Sequence, residues 1–286
     1  MAMFDFINLA ATDVRSDPGP HYVKDGFLRQ DLFDQLRAEF PTDETFRNSD
    51  AEPYAGGRAD LEFGMDNFSA FIGQSSVWRD FIASVRSRHY AEFLLDVFGK
   101  HLDQGRPLQR DDFVFVPTSE YIRTHRPLGS AFARWSKAHP IAGRRMDRTL
   151  YKTYNRIKGA FFPDHYYIVC QIAQSWSGYV QPAHRDSLDR GIVTLIYFND
   201  PVAEGGGEGG EFGVFRLRPD APRQDSVWAH PAHVEEVARV RPRPNLGVGL
   251  LNTPSIYHSG EMFQAGSQPR KFMYIGVARL EQACSW

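Results

Sequence analysis

Apolar positions along this chain repeat with two different periods, and the change from one to the other divides it. In residues 31–39 (DLFDQLRAE), Leu32, Phe33 and Leu36 fall on one face of a helix. The stretch 78–98 (WRDFIASVRSRHYAEFLLDVF) repeats that spacing with Phe81, Ile82, Val85, Tyr90, Phe93, Leu94, Val97 and Phe98, which predicts packing helices. From about Tyr166 the apolar residues come instead in short β-branched and aromatic runs: YYIVCQIA, IVTLIYF, EFGVFRL, VEEVARV, LGVGLL and KFMYIGVA. Gly, Pro, Asn and Asp separate them, most densely in NDPVAEGGGEGG and RPRPN. Short strands set off by turn signals, with no helical pattern between them, predict antiparallel sheets in a jelly roll or sandwich rather than a parallel α/β fold. The glycine-rich run 205–210 reads as a loop, and it lacks the Lys-Ser/Thr ending of a phosphate loop.

Composition narrows the classes. At 286 residues the chain can bury a large core, and 42% hydrophobic content with a net charge of -2 describes an ordinary globular protein. That charge disfavours nucleic acid as a partner. Two cysteines, Cys170 and Cys284, are too few for a disulfide scaffold or a cysteine zinc cluster and point to a reducing, cytoplasmic compartment. Asp5 stands where a signal peptide would carry Lys or Arg, and no apolar run approaches the ~20 residues of a membrane span, so neither export nor insertion is expected. Charge is uneven, however: residues 100–160 hold 13 Lys or Arg against 5 Asp or Glu. A solvated surface insertion explains this most simply; a substrate lid that recognises phosphate or carboxylate groups is the sharper reading.

The chemistry concentrates in QPAHRD, residues 181–186. On an extended segment side chains two apart share a side, so His184 and Asp186 converge while Arg185 points away. A third ligand is available in His258, 72 residues after Asp186 and just beyond the strand-like LGVGLL, if a neighbouring antiparallel strand brings it alongside. Two His and one Asp make the facial triad of non-haem Fe(II) oxygenases, which leaves open positions on the ion. Arg270, 12 residues after His258, opens the run RKFMYIGVA. If the chain turns back there, its guanidinium can hold the distal carboxylate of a small dicarboxylate whose 2-oxo acid end chelates the iron.

The ordered series GYVQPAHRD, TLIYFND, EGGEF with VFRL, PNLGVGLL, YHSG and PRKFMYIGV, spanning about residues 166–280, resembles the catalytic core of the Fe(II)/2-oxoglutarate-dependent oxygenases, most nearly the prolyl-hydroxylase-like branch. The resemblance implies a mainly β fold with helices (α+β): a double-stranded β-helix, or jelly roll, buttressed by N-terminal helices. It implies a single oxygenase domain over 1–286, with 1–99 as helical support, 100–165 as the basic insertion and 166–280 as the catalytic core. His184, Asp186 and His258 would hold Fe(II), and Arg270 would bind the C5 carboxylate of 2-oxoglutarate. Tyr197, at the tyrosine of that family's LYLN strand, would either add a hydroxyl to the same carboxylate or serve as a core residue. Dioxygen and a small-molecule substrate, an anionic compound or a sugar, are the expected partners. Because Asp186 occupies the position where halide-transferring relatives carry a small residue, hydroxylation or demethylation is implied over halogenation.

Several choices stay open at the level of sequence. Lys271 adjoins Arg270, and strand phase decides which of them faces the pocket; the family pattern favours Arg270, with Phe272 and Tyr274 following on its face. Only one of Gln171 and Gln174 can face it. His230 and His233 are read as surface rather than as a second metal site. The other function classes are a cupin-like metalloenzyme that does not use 2-oxoglutarate, in which Arg270 would lie at the surface, and a noncatalytic jelly-roll module that binds an anionic glycan or peptide.

Overall fold

The computed structural model describes residues 4–47, 57–62, 65–102, 114–115, 165–186, 190–222, 227–264, 266 and 268–279. Most of the basic insertion, and with it the choice between a solvated face and a substrate lid, lies outside the described residues. The first part of the chain holds β1 (His21–Asp25), α1 (Gln30–Ala38), α2 (Asp43–Arg47), β2 (Arg58–Glu62), α3 (Asp66–Gln74), α4 (Ser76–Val85) and α5 (Arg88–Phe98). Next come β3 (Val114–Phe115), β4 (His165–Ser175), β5 (Gln181–His184), β6 (Arg190–Tyr197), α6 (Pro201–Gly205) and β7 (Glu208–Gly209). The remainder is strand: β8 (Phe212–Leu217), β9 (Val234–Val240), β10 (Leu246–Leu251), β11 (Ile256–Gly260), β12 (Phe263–Gln264) and β13 (Arg270–Arg279).

Two sheets carry the architecture. The larger runs in the order β1-β10-β6-β13-β4-β2 with β3 beside β4, and the smaller runs β5-β11-β8-β9. From β4 to β13 the chain swaps between them: β4, β6, β10 and β13 belong to the larger sheet, while β5, β8, β9 and β11 belong to the smaller. Every pairing in these two sheets is antiparallel except β3 with β4. This is the jelly roll that the turn-separated apolar runs predict. Period-two alternation builds its two interiors. Tyr166, Ile168, Cys170 and Ile172 of β4 join Met273, Ile275 and Val277 of β13 in a core shared with the helices. Ala173, Val193, Tyr197 and Phe272 face the other way and pack with Phe212, Val214, Val240 and Ile256 of the smaller sheet. Cys170 is buried in the first core, where burial pushes its thiol pKa up to about 12 and leaves it protonated and unreactive at neutral pH.

The helices pack as amphipathic elements on the larger sheet, but the apolar run 78–98 is not one helix. Ser75 Oγ accepts from the Trp78 N–H at 3.1 Å to start α4, and Ser87 Oγ accepts from the Tyr90 N–H at 3.2 Å to start α5. A serine cap in mid-run therefore ends one helix and begins the next. Trp78 is fully buried, and its indole N–H donates to the Leu36 carbonyl at 3.1 Å, tying α4 to α1.

Two strands come from the region read as helical support. β1 and β2 cap opposite edges of the larger sheet, and β2 delivers Arg58 to the sheet end where Arg270 lies, both residues pairing with Ser175 of β4. β1 docks closely because β10 has glycines under it. A Cβ on Gly249 would lie 2.3 Å from the Tyr22 ring, and one on Gly247 2.3 Å from the Phe27 ring. The segment 199–210 also departs from a plain loop. Asp200 Oδ1 accepts from the N–H groups of Val202 and Ala203, starting the short α6, which Gly206 ends at φ +69°. No helix among the described residues is long and apolar enough to cross a membrane.

Candidate metal centre

β5 and β11 run antiparallel with His184 directly opposite His258, so the two imidazoles meet with ring centroids 4.2 Å apart. Asp186, two residues beyond His184, brings Oδ1 to 4.0 Å from Nε2 of each ring. These three, expected from the sequence to be ligands, form the one group of at least three His, Cys, Asp or Glu residues among those described whose ligand atoms lie within 4.8 Å of one another. An ion bonded at about 2.0–2.2 Å to each donor spans gaps of this size after a small contraction.

The protonation states suit a cation. His184 Nδ1 lies 2.9 Å from the Pro182 carbonyl oxygen, which can only accept, so Nδ1 carries the proton and Nε2 presents its lone pair to the centre. Burial lowers the pKa of both imidazoles, that of His258 well below the ordinary value with the nearby His184 adding to the effect. Both rings are thus neutral ligands at neutral pH, and Asp186 supplies the single charge. This donor set fits Fe(II).

Backbone and amide contacts hold the HxD segment. Arg185 N–H donates to the Val227 carbonyl at 2.8 Å and Ala229 N–H to the Ala183 carbonyl at 2.9 Å, which sets Trp228 across from His184 with rings 5.0 Å apart. On the other side Asn252, buried at the start of the loop after β10, donates through Nδ2 to the carbonyls of Asp186 (3.1 Å) and Arg190 (2.8 Å). Asn252 therefore fixes where Asp186 leaves the strand. Asn252→Ala is expected to weaken Mn(II) binding by roughly 10- to 100-fold, as loss of a ligand's support commonly does. Calorimetric titration measures it, and an unchanged affinity would remove Asn252 from the site.

The triad opens into a cavity of about 490 Å³ that is also lined by Arg58, Gln171, Tyr179, Tyr197, Arg270 and Tyr274. Arg270 is 3% exposed. It donates through Nε to Ser175 Oγ at 3.2 Å and through Nη1 to the Gly210 carbonyl, and it lies 5.4 Å from the centroids of the Tyr179 and Phe272 rings. Among the described residues no carboxylate approaches it as an ion pair. A buried guanidinium without a counter-ion is costly, and a carboxylate entering the cavity would complete it. Lys271 points to the other face, its ammonium 5.6 Å from the Phe40 ring centroid. Tyr197 shares the cavity with Arg270; burial pushes its hydroxyl pKa up to about 12, so it stays a protonated donor.

Strand phase also separates the glutamines: Gln171 lines the cavity, while Gln174 is buried on the opposite face, donating to Asp43 at 3.0 Å. His230 is exposed and accepts the Ala232 N–H through Nδ1; His233 is 4.9 Å from it ring to ring, with no third ligand grouped there among the described residues.

Residues the sequence reading passed over include Arg58, Asn252, Trp228 and Gln181. Gln181 is instructive. His258 pairs with His184 and Gly260 with Gln181, so that one intervening residue on β11 stands against two on β5. This bulge changes the phase, so Gln181 and His184, three apart, face the same cavity.

No protein-family model matches this chain, and no curated protein does. Solved structures similar to it include a Pseudomonas putida prolyl-4-hydroxylase, at TM-score 0.45 and 13% identity over 91% of this chain and 92% of that one. A 2OG-Fe(II) oxygenase family protein from Burkholderia pseudomallei gives TM-score 0.44 and 13% identity over 97% of this chain and 90% of that one. A viral collagen prolyl hydroxylase from Paramecium Bursaria Chlorella virus-1 gives 0.40 and 12% over 91% and 96%.

Proposed function

We propose that this protein is an Fe(II)- and 2-oxoglutarate-dependent dioxygenase that hydroxylates an unactivated C–H bond. One observation carries the reading: two neutral imidazoles and a carboxylate converge in the same cavity as a buried guanidinium that has no ion-pair partner among the described residues. His184, Asp186 and His258 hold the ion. Arg270 grips the far carboxylate of 2-oxoglutarate, and Tyr197 offers it a hydroxyl. Held there, Fe(II) and 2-oxoglutarate would supply the chemistry of dioxygen reduction coupled to decarboxylation, one oxygen atom ending in succinate and the other in the substrate. The aromatic walls, Phe212 stacked at 5.5 Å on His258 and Tyr179 and Phe272 beside Arg270, keep water from the reacting centre.

The substrate is a small molecule that enters past Trp228, which lines the cavity and is 48% exposed. Arg190, whose guanidinium lies 5.9 Å from the Tyr274 ring centroid on the cavity wall, supports an anionic compound or a sugar. The cupin-like alternative needs Arg270 at the surface, and its 3% exposure counts against that. The test is incubation of the purified protein with Fe(II), 2-oxoglutarate, air and fractionated metabolites. Expected are succinate formation and one metabolite heavier by a single oxygen. Oxygen-independent turnover, or a mass gain without succinate, would contradict the reading.

A further inference from the structure

Gln181 holds its carboxamide nitrogen 3.0 Å from His184 Nε2, the atom that faces Asp186 and His258. Three hydrogen bonds lead to it from a buried ion pair on the edge strand β2. Arg58 Nε donates to Asp60 Oδ1 at 2.7 Å and Nη1 donates to the Tyr179 hydroxyl at 3.1 Å. Tyr179 in turn donates to Gln181 Oε1 at 2.9 Å.

Direction follows from donor inventory. A guanidinium has donors only, so at the Tyr179 oxygen it occupies an acceptor position and leaves the phenolic proton to point onward. The group onward is Gln181 Oε1, which can only accept. That fixes which end of the carboxamide is oxygen, an assignment otherwise open to a flip, and turns the NH2 group toward the triad. Gln171 Oε1 accepts from Arg58 Nη2 at 3.4 Å and steadies the head of the chain. Asp60 is 4% exposed and Tyr179 8%, so little water competes for these bonds.

We propose that Asp60, Arg58, Tyr179 and Gln181 form a one-way hydrogen-bond chain that aims the Gln181 amide N–H at an oxygen ligand of the bound ion, making Gln181 a further cosubstrate-binding residue and Tyr179 its positioning residue. This rests on the oxygenase reading above. An ion engaging the His184 Nε2 lone pair removes the acceptor that the amide has without it. The amide then donates to the nearest oxygen on the ion, that of a water or of the chelating end of 2-oxoglutarate. Arg270 holds one end of the cosubstrate and Gln181 the other, so the two constrain it independently.

The experiment is an anaerobic titration of 2-oxoglutarate into the Fe(II)-loaded protein, followed by its visible charge-transfer band, with Fe(II) affinity measured separately. Gln181→Leu is expected to weaken 2-oxoglutarate roughly 10- to 100-fold, the range for a hydrogen bond to a charged group, and to move the band maximum while Fe(II) affinity holds. Tyr179→Phe, which keeps the ring beside Arg270 but releases the amide, should shift affinity and band the same way by less. Gln181→Glu should be the most damaging to 2-oxoglutarate binding, because it sets a carboxylate against a carboxylate. A wild-type band with unchanged affinity and maximum in Gln181→Leu overturns the proposal and leaves the oxygenase reading intact. No band in the wild-type protein overturns both.

Discussion

Asp186→Ala leaves the fold intact and lowers affinity for a divalent ion by at least ~100-fold, more than loss of a supporting residue costs. The carboxylate is the only charged member of the triad, and its Oδ1 lies 4.0 Å from both imidazole nitrogens. Removing it leaves two neutral donors, which hold Fe(II) weakly and no longer define a facial set. Its side chain is 16% exposed and sits just past the end of β5, outside the hydrophobic cores, so the substitution opens no apolar cavity. Asp186→Asn keeps the shape and loses the charge, and should fall between. Calorimetric titration with Mn(II) beside a thermal melt measures both quantities; wild-type affinity in Asp186→Ala would sink the assignment of the triad.

The second large effect belongs to Arg270. Arg270→Ala should raise the dissociation constant for 2-oxoglutarate by about 30-fold or more, from the ~2–5 kcal/mol lost when one partner of a buried charge pair is truncated. Arg270→Lys should recover only part, since a single ammonium cannot grip a carboxylate bidentately. Stability should respond in the opposite sense. Without cosubstrate this guanidinium is buried against a serine hydroxyl, a backbone carbonyl and two aromatic rings, with no carboxylate pairing it among the described residues, so Arg270→Met should melt at or above the wild-type temperature. Loss of binding together with loss of stability would mark a structural arginine instead.

The sequence carried the strands because those buried on both faces read as short continuous apolar runs, such as YYIVCQIA, IVTLIYF and LGVGLL, bounded by turn residues. It carried the triad for a related reason: His184 and Asp186 are two apart on an extended segment, and His258 follows an unbroken apolar run. Arg270 was preferred over Lys271 on the family pattern alone; the register of β13, in which Phe272 pairs with Tyr197 and shares its face with residue 270, sets Arg270 in the cavity wall and Lys271 on the other face. Other parts depended on contacts distant in sequence. β1 and β2 are strands because the larger sheet offers them edges; neither is apolar enough alone to be read as one. Asn252 and Arg58 are ordinary polar residues until the fold sets one against the HxD loop and the other beside Tyr179. Gln181 was hidden by a bulge, since a strict period of two turns it away from His184.

Fe(II) and 2-oxoglutarate added together without oxygen test the central claim most directly. The account predicts a visible charge-transfer band that neither component gives alone, saturating at one ion and one cosubstrate per chain and missing from Asp186→Ala. A protein that binds Fe(II) yet shows no band at saturating 2-oxoglutarate, or that shows the same band without Asp186, would contradict it.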